Sequence, residues 1–174
     1  MALTQTEAEV QSLLNQTAGK GWTEHVEGTY ISEGTAQEFT ARAKLECDGT
    51  GGATNTTYAP PTGVLWDTTN DKILGAAVGD AYDVRIEFDA SNASVGTWFD
   101  IEFDIGGAVG VVSARTYTMP KTAGTAITFS VGVPLYSLAT FITNGCEIYI
   151  TPNSGTLKVW NQRVLVKRDF VAAV

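Results

Sequence analysis

The sequence predicts an all-β protein, an antiparallel jelly-roll β-sandwich preceded by a short N-terminal α-helix. Apolar and polar residues alternate with period two in several short runs, most clearly at Tyr82–Phe88 and Phe99–Ile105. Turn-forming clusters of Gly, Pro, Asn and Asp separate the runs at fairly regular intervals, giving about eight to ten strands. After residue 21 no alternation of strands with helices follows, which excludes a parallel α/β sheet.

The one helix expected is Thr4–Ala18. Thr4 stands three residues before Glu7 and Thr6 three before Glu9, the capping-box spacing, and Gly19 and Gly21 end the run. Leu3, Val10, Leu13 and Leu14 give it a narrow apolar stripe. So short a helix needs a surface to lie on: its own domain, another copy or a partner. Residues 1–21 are therefore read as a docking arm and residues 22–174 as the sandwich domain.

From Trp22 the chain turns to β structure. Phe39, Ala41, Ala43 and Leu45 alternate with polar residues and predict a strand over Glu38–Cys47. The loop Asp48–Thr57 is rich in Gly and Thr, but it lacks the lysine and following helix of a phosphate-binding loop. Asp67–Lys72 is a turn. The best-patterned region follows, with Tyr82, Val84, Ile86 and Phe88 facing one way and Phe99, Ile101, Phe103 and Ile105 matching them. The connection Ala90–Gly96 predicts that these two segments form a hairpin, with Phe88 beside Phe99 and Arg85 beside Glu102. Val111–Thr118 and Ile127–Val133 add strands, and Asn144-Gly145 is a turn that opens a strand with Cys146, Ile148 and Ile150 on one face. In the last strand, from Leu157 to about Lys167, the apolar parity slips between Val159 and Val164, which predicts a bulge.

The charge balance limits partners. A net charge of −8 leaves no basic face for phosphates, so no nucleic-acid partner is expected. No apolar run approaches the roughly 20 residues of a membrane span, and the N-terminus has no basic-then-apolar leader, so a soluble chain without a signal peptide is expected. Cys47 and Cys146 are read as buried thiols, with a disulfide as the alternative.

No catalytic set is evident. His25 stands alone and is read as a surface or interface residue. A hairpin would gather Asp83, Glu87, Asp89, Asp100, Glu102 and Asp104 on one surface, open to a metal or paired-carboxylate reading. A solvated strand face is the preferred reading, so no catalytic residue, cofactor or metal is assigned and no enzyme is expected. Trp98 falls on the charged side of its strand, either exposed or covered by a neighbour.

The runs Leu65-Trp66-Asp67-Thr68-Thr69-Asn70-Asp71-Lys72-Ile73 and Gly79-Asp80-Ala81-Tyr82-Asp83-Val84-Arg85-Ile86, then Phe99-Asp100-Ile101 with Ile105-Gly106-Gly107, and the Asn144-Gly145 turn with the closing strand, resemble small jelly-roll virion proteins of tailed bacteriophages. The resemblance covers about residues 60–168 in layout. It implies a TNF-like or C1q-like jelly roll, made in the host bacterial cytoplasm, that forms a homotrimer and decorates or cements the outside of a capsid. The implied partners are other copies of the chain and a major capsid protein, with Leu3, Val10, Leu13, Leu14, Trp98 and Phe170 as interface candidates. The alternative is a receptor- or glycan-binding tip domain of a tail fibre or spike, using Trp66 or Trp98 against a host glycan.

Overall fold

The computed structural model describes Val10, residues 19–47 and residues 53–172. The predicted helix, with Leu3, Leu13 and Leu14, lies outside the described residues; Val10 is exposed. In chain order the strands are β1 (Gly21–Val26), β2 (Gln37–Phe39), β3 (Ala43–Lys44), β4 (Thr54–Asn55), β5 (Trp66–Asp67), β6 (Lys72–Ile73), β7 (Ala81–Asn92), β8 (Trp98–Asp104), β9 (Val111–Thr118), β10 (Ile127–Tyr136), β11 (Cys146–Pro152) and β12 (Leu157–Phe170), with helix α1 (Ala139–Asn144) before β11. They form two antiparallel sheets. Sheet one runs β10-β7-β12-β1-β4 with β2 also on β12, and sheet two runs β5-β6-β11-β8-β9 with β3 also on β11.

From β7 onward the chain crosses between sheets at every connection except β8–β9, the winding of a jelly roll. The predicted inner rows are the core: Val84, Ile86 and Phe88 of sheet one meet Phe99, Ile101 and Phe103 of sheet two, all buried. Phe88, Phe99, Tyr117 and Phe129 close the side where β9 and β10 are edge strands. Their centroids are 5.0 to 6.1 Å apart in mixed stacked and edge-on pairs.

The hairpin expectation is corrected. β7 pairs with β10 and β12, whereas β8 pairs with β9 and β11. Phe88 and Phe99 do touch, at 6.1 Å, but across the sandwich. Residues 93–97 have the reach to cross the roughly 10 Å between sheets, and alternation is the same in a hairpin and in a crossover.

Two local features also differ from expectation. The strand over Glu38–Cys47 breaks into β2 and β3, because the chain bends at residues 40–42 and leaves Ala41 exposed. Asn144-Gly145 opens β11 as expected, with Cys146, Ile148 and Ile150 on its buried face, but it does so as the end of α1, with Gly145 at φ 79° and its N–H donating to the Phe141 carbonyl at 2.8 Å. α1 itself was not foreseen. The predicted bulge in β12 is present: its register on β7 shifts between Trp160 and Arg163, where Asn161 has φ 55° and donates through Nδ2 to Asp89 at 2.7 Å.

Candidate interaction surfaces

One end of sheet one carries large apolar side chains on its solvent side. In β10 the inward row Phe129, Val131, Val133 and Leu135 forces Tyr136 outward. The register then sets Tyr136 and Phe170 on either side of Ala81, and they are 70% and 50% exposed. Past the strand ends, Gly79 N–H donates to the Ser137 carbonyl and Ser137 N–H to the Asp80 carbonyl, both at 2.8 Å. Val78 and Leu138 adjoin these paired residues in the chain, and both are exposed. The result is a strip of Val78, Ala81, Tyr136, Leu138 and Phe170 with no charged side chain among its members.

The backbone around the strip is held by a buried polar centre. Asp80 Oδ2 lies 2.7 Å from Arg168 Nη2 and accepts from the Tyr82 hydroxyl and the Ala77 amide, while Oδ1 accepts from the Ala172 amide. Arg168 also donates to the Gly19 carbonyl at 3.1 Å. Burial alone would raise the Asp80 carboxyl, but the hydrogen bonds from Arg168, Ala172 and Ala77 outweigh it and hold its pKa below the usual value. The centre thus fixes the loop before β7 and the chain after β12, the two segments that flank the strip.

The outer face of sheet two is polar. Arg42 donates to Glu102 at 2.6 Å and to Asp104 at 2.7 Å, and its guanidinium lies 3.7 Å from the Tyr149 ring centre. Further along β8, Asp100 Oδ1 accepts from the Thr116 hydroxyl at 2.5 Å. Trp98 ends the row, 41% exposed, with Thr118 opposite it on β9.

The six carboxylates that a hairpin would have gathered are therefore on two opposite faces. Asp83, Glu87 and Asp89 belong to sheet one, and Asp100, Glu102 and Asp104 to sheet two. Among the described residues no group of three or more His, Cys, Asp or Glu side chains is placed to hold a metal ion.

His25 is corrected from surface to interior. It is 1% exposed on the inward side of β1, neither ring nitrogen has a hydrogen-bond partner among the described residues, and burial lowers its pKa to about 4. Trp66 is also interior, with Nε1 donating to the Cys47 carbonyl at 2.9 Å, so it offers no face to a sugar. Cys47 and Cys146 are both buried and are not joined by a disulfide. Of the interface candidates, Val10, Trp98 and Phe170 are exposed, and Trp98 and Phe170 lie on different sheets. Tyr136, Leu138 and Val78 were missed. The signal for Tyr136 was available, since continuing the β10 alternation through Leu135 puts an aromatic ring on the solvent side.

The chain matches no protein-family model, and no curated protein is similar to it in sequence. Among solved structures, the TNF Eiger from S. frugiperda superposes with a TM-score of 0.54 over 90% of this chain and 95% of that one, at 10% identity. That likeness establishes a TNF-like jelly-roll fold. Vertex protein P5 of PRD1 is a looser match, with a TM-score of 0.43 over 87% of this chain and 97% of that one, at 8% identity. Tailspike protein 4 of bacteriophage CBA120 is looser again, with a TM-score of 0.36 over 83% of this chain and 19% of that one, at 16% identity.

Proposed function

We propose that this chain is a non-enzymatic structural protein of a phage particle, a jelly roll that assembles as a homotrimer and decorates or cements the capsid surface. The observation that carries the reading is the strip of Val78, Ala81, Tyr136, Leu138 and Phe170. Two large rings at 70% and 50% exposure, aligned by strand register and set on a rigidly hydrogen-bonded end of the sheet, are the kind of apolar surface that a partner covers. A cyclic assembly gives every copy the same cover, and the TNF-like fold is compatible with one. The sequence resemblance over residues 60–168 supplies the virion setting, and the apolar stripe Leu3, Val10, Leu13 and Leu14 is the proposed contact with the major capsid protein.

The test is solution mass followed by capsid binding. Light scattering should give a mass near three times 18.5 kDa. Tyr136→Ser with Phe170→Ser should dissociate the assembly while the β circular dichroism persists. Decoration is checked by co-sedimentation with phage heads stripped of surface proteins, where a chain starting at Gly21 should lose binding. A monomeric wild-type protein at high concentration would remove the homotrimer, and failure of the wild type to bind any head would remove the capsid role.

A further inference from the structure

We propose that the outer face of sheet two at Trp98 binds a neutral pyranose sugar. β8 places Trp98, Asp100, Glu102 and Asp104 outward, and the partner strands fill the rows beside them. Thr118 lies opposite Trp98 on β9, and Thr116 and Thr151 flank Asp100 on β9 and β11. Rows on such a face are roughly 7 Å apart and strands about 4.8 Å apart, so the Thr118 hydroxyl and the Asp100 carboxylate lie beside the indole within reach of a ring stacked on it, while the Thr151 hydroxyl is buried.

Each component suits a sugar. The indole is 41% exposed and offers a flat apolar surface to the C–H face of a pyranose. Its backbone is fixed, because Trp98 N–H donates to Asn153 Oδ1 at 2.8 Å and the Trp98 carbonyl accepts from Asn153 N–H at 3.0 Å. Thr116 holds Asp100 through Oδ1, leaving Oδ2 with no hydrogen bond from any described residue. A carboxylate oriented in that way accepts strongly from sugar hydroxyls. Thr118 is exposed and its hydroxyl is also without a partner among the described residues. Asp100 meanwhile repels anionic sugars, which sets the class as neutral. The site stands apart from the strip on sheet one and does not depend on self-association there.

The test titrates the full-length protein with cellotriose, maltotriose and chitotriose, with a sialylated trisaccharide as the anionic control. The readouts are tryptophan fluorescence and saturation-transfer NMR. At least one neutral trisaccharide should shift the emission and receive saturation, and the anionic one should do neither. Trp98→Ala should weaken binding about tenfold or more, the loss of one stacked ring with its hydrogen bonds. Thr118→Lys, which fills the face beside the indole and leaves Trp98 itself in place, should block binding and keeps the test valid if Trp98→Ala folds poorly. No saturation of any neutral sugar would overturn the proposal. So would a fall in solution mass on Trp98→Ala without sugar binding by the wild type, which would assign Trp98 to contacts between copies.

Discussion

Arg168 Nη2 lies 2.7 Å from Asp80 Oδ2 where the two side chains are 4% and 0% exposed, so the last strand is tied to the start of β7 through a buried ion pair. Removing one partner leaves the other charged and out of water, which in other proteins costs about 3–5 kcal/mol. Arg168→Met should therefore destabilise the protein by about that much in urea unfolding, well above the effect of removing the exposed Arg85–Asp83 pair. Because the folded-state pKa of Asp80 is depressed, its contribution is present above the unfolded carboxyl pKa of 3.8 and is lost as pH falls below it.

His25 acts in a higher pH window. Its pKa is 6.5 when unfolded and about 4 in the core, so between those values the unfolded chain binds a proton that the folded chain refuses. Stability should fall by about 3 kcal/mol as pH drops from 6.5 to 4, at 1.36 kcal/mol per unit. His25→Leu should flatten this slope in chemical denaturation series across that range. An unchanged slope in the variant would show that other groups cause the acid sensitivity.

The inner rows were legible because period two states which way each side chain points, and Val84, Ile86, Ile101 and Phe103 are all buried as read. Partnership was not legible, because the pattern is silent about which sheet holds the neighbour. Phe88 and Phe99 were paired correctly as a contact and wrongly as a hairpin for that reason. β1 misled in the opposite sense: Trp22 and Val26 face outward, while the polar Thr23 and His25 face the core. α1 is Ala-Thr-Phe-Ile-Thr-Asn, with β-branched residues and no side-chain cap, so local propensity gave no helix signal. The sheet-one strip depends on Tyr136 and Phe170 meeting across Ala81, a relation between segments more than thirty residues apart that no local pattern contains.

Phe129 touches Phe88, Phe99 and Tyr117, with centroids at 5.6, 5.0 and 5.6 Å. It is the side chain of β10 that closes the sandwich between the two edge strands. Phe129→Ala should cost about 3–5 kcal/mol through lost burial and an unfilled cavity. Near-ultraviolet circular dichroism should weaken as the aromatic cluster loosens, while the far-ultraviolet β signal stays. A loss below about 1.5 kcal/mol would mean that the neighbouring rings refill the site.

Gly145 joins α1 to β11 at φ 79° and ψ −170°, a region open almost only to glycine. A Cβ there would also stand 2.8 Å from the Ile73 carbonyl oxygen and 2.9 Å from Lys72 Cδ, and the backbone oxygen has little room to yield. Gly145→Ala should therefore cost about 2–3 kcal/mol, a fall in Tm of roughly 5–10 °C for a chain of this size. The next residue offers a second readout. Cys146 is fully buried, and burial pushes its thiol up to about 12, with Asp104 and Glu147 adding to the effect, so it should resist Ellman's reagent in the native protein. In Gly145→Ala the start of β11 must move away from β6, and Cys146 should label before global unfolding while Cys47 stays protected. Equal labelling of both thiols would place the damage in the whole sandwich instead of at this junction.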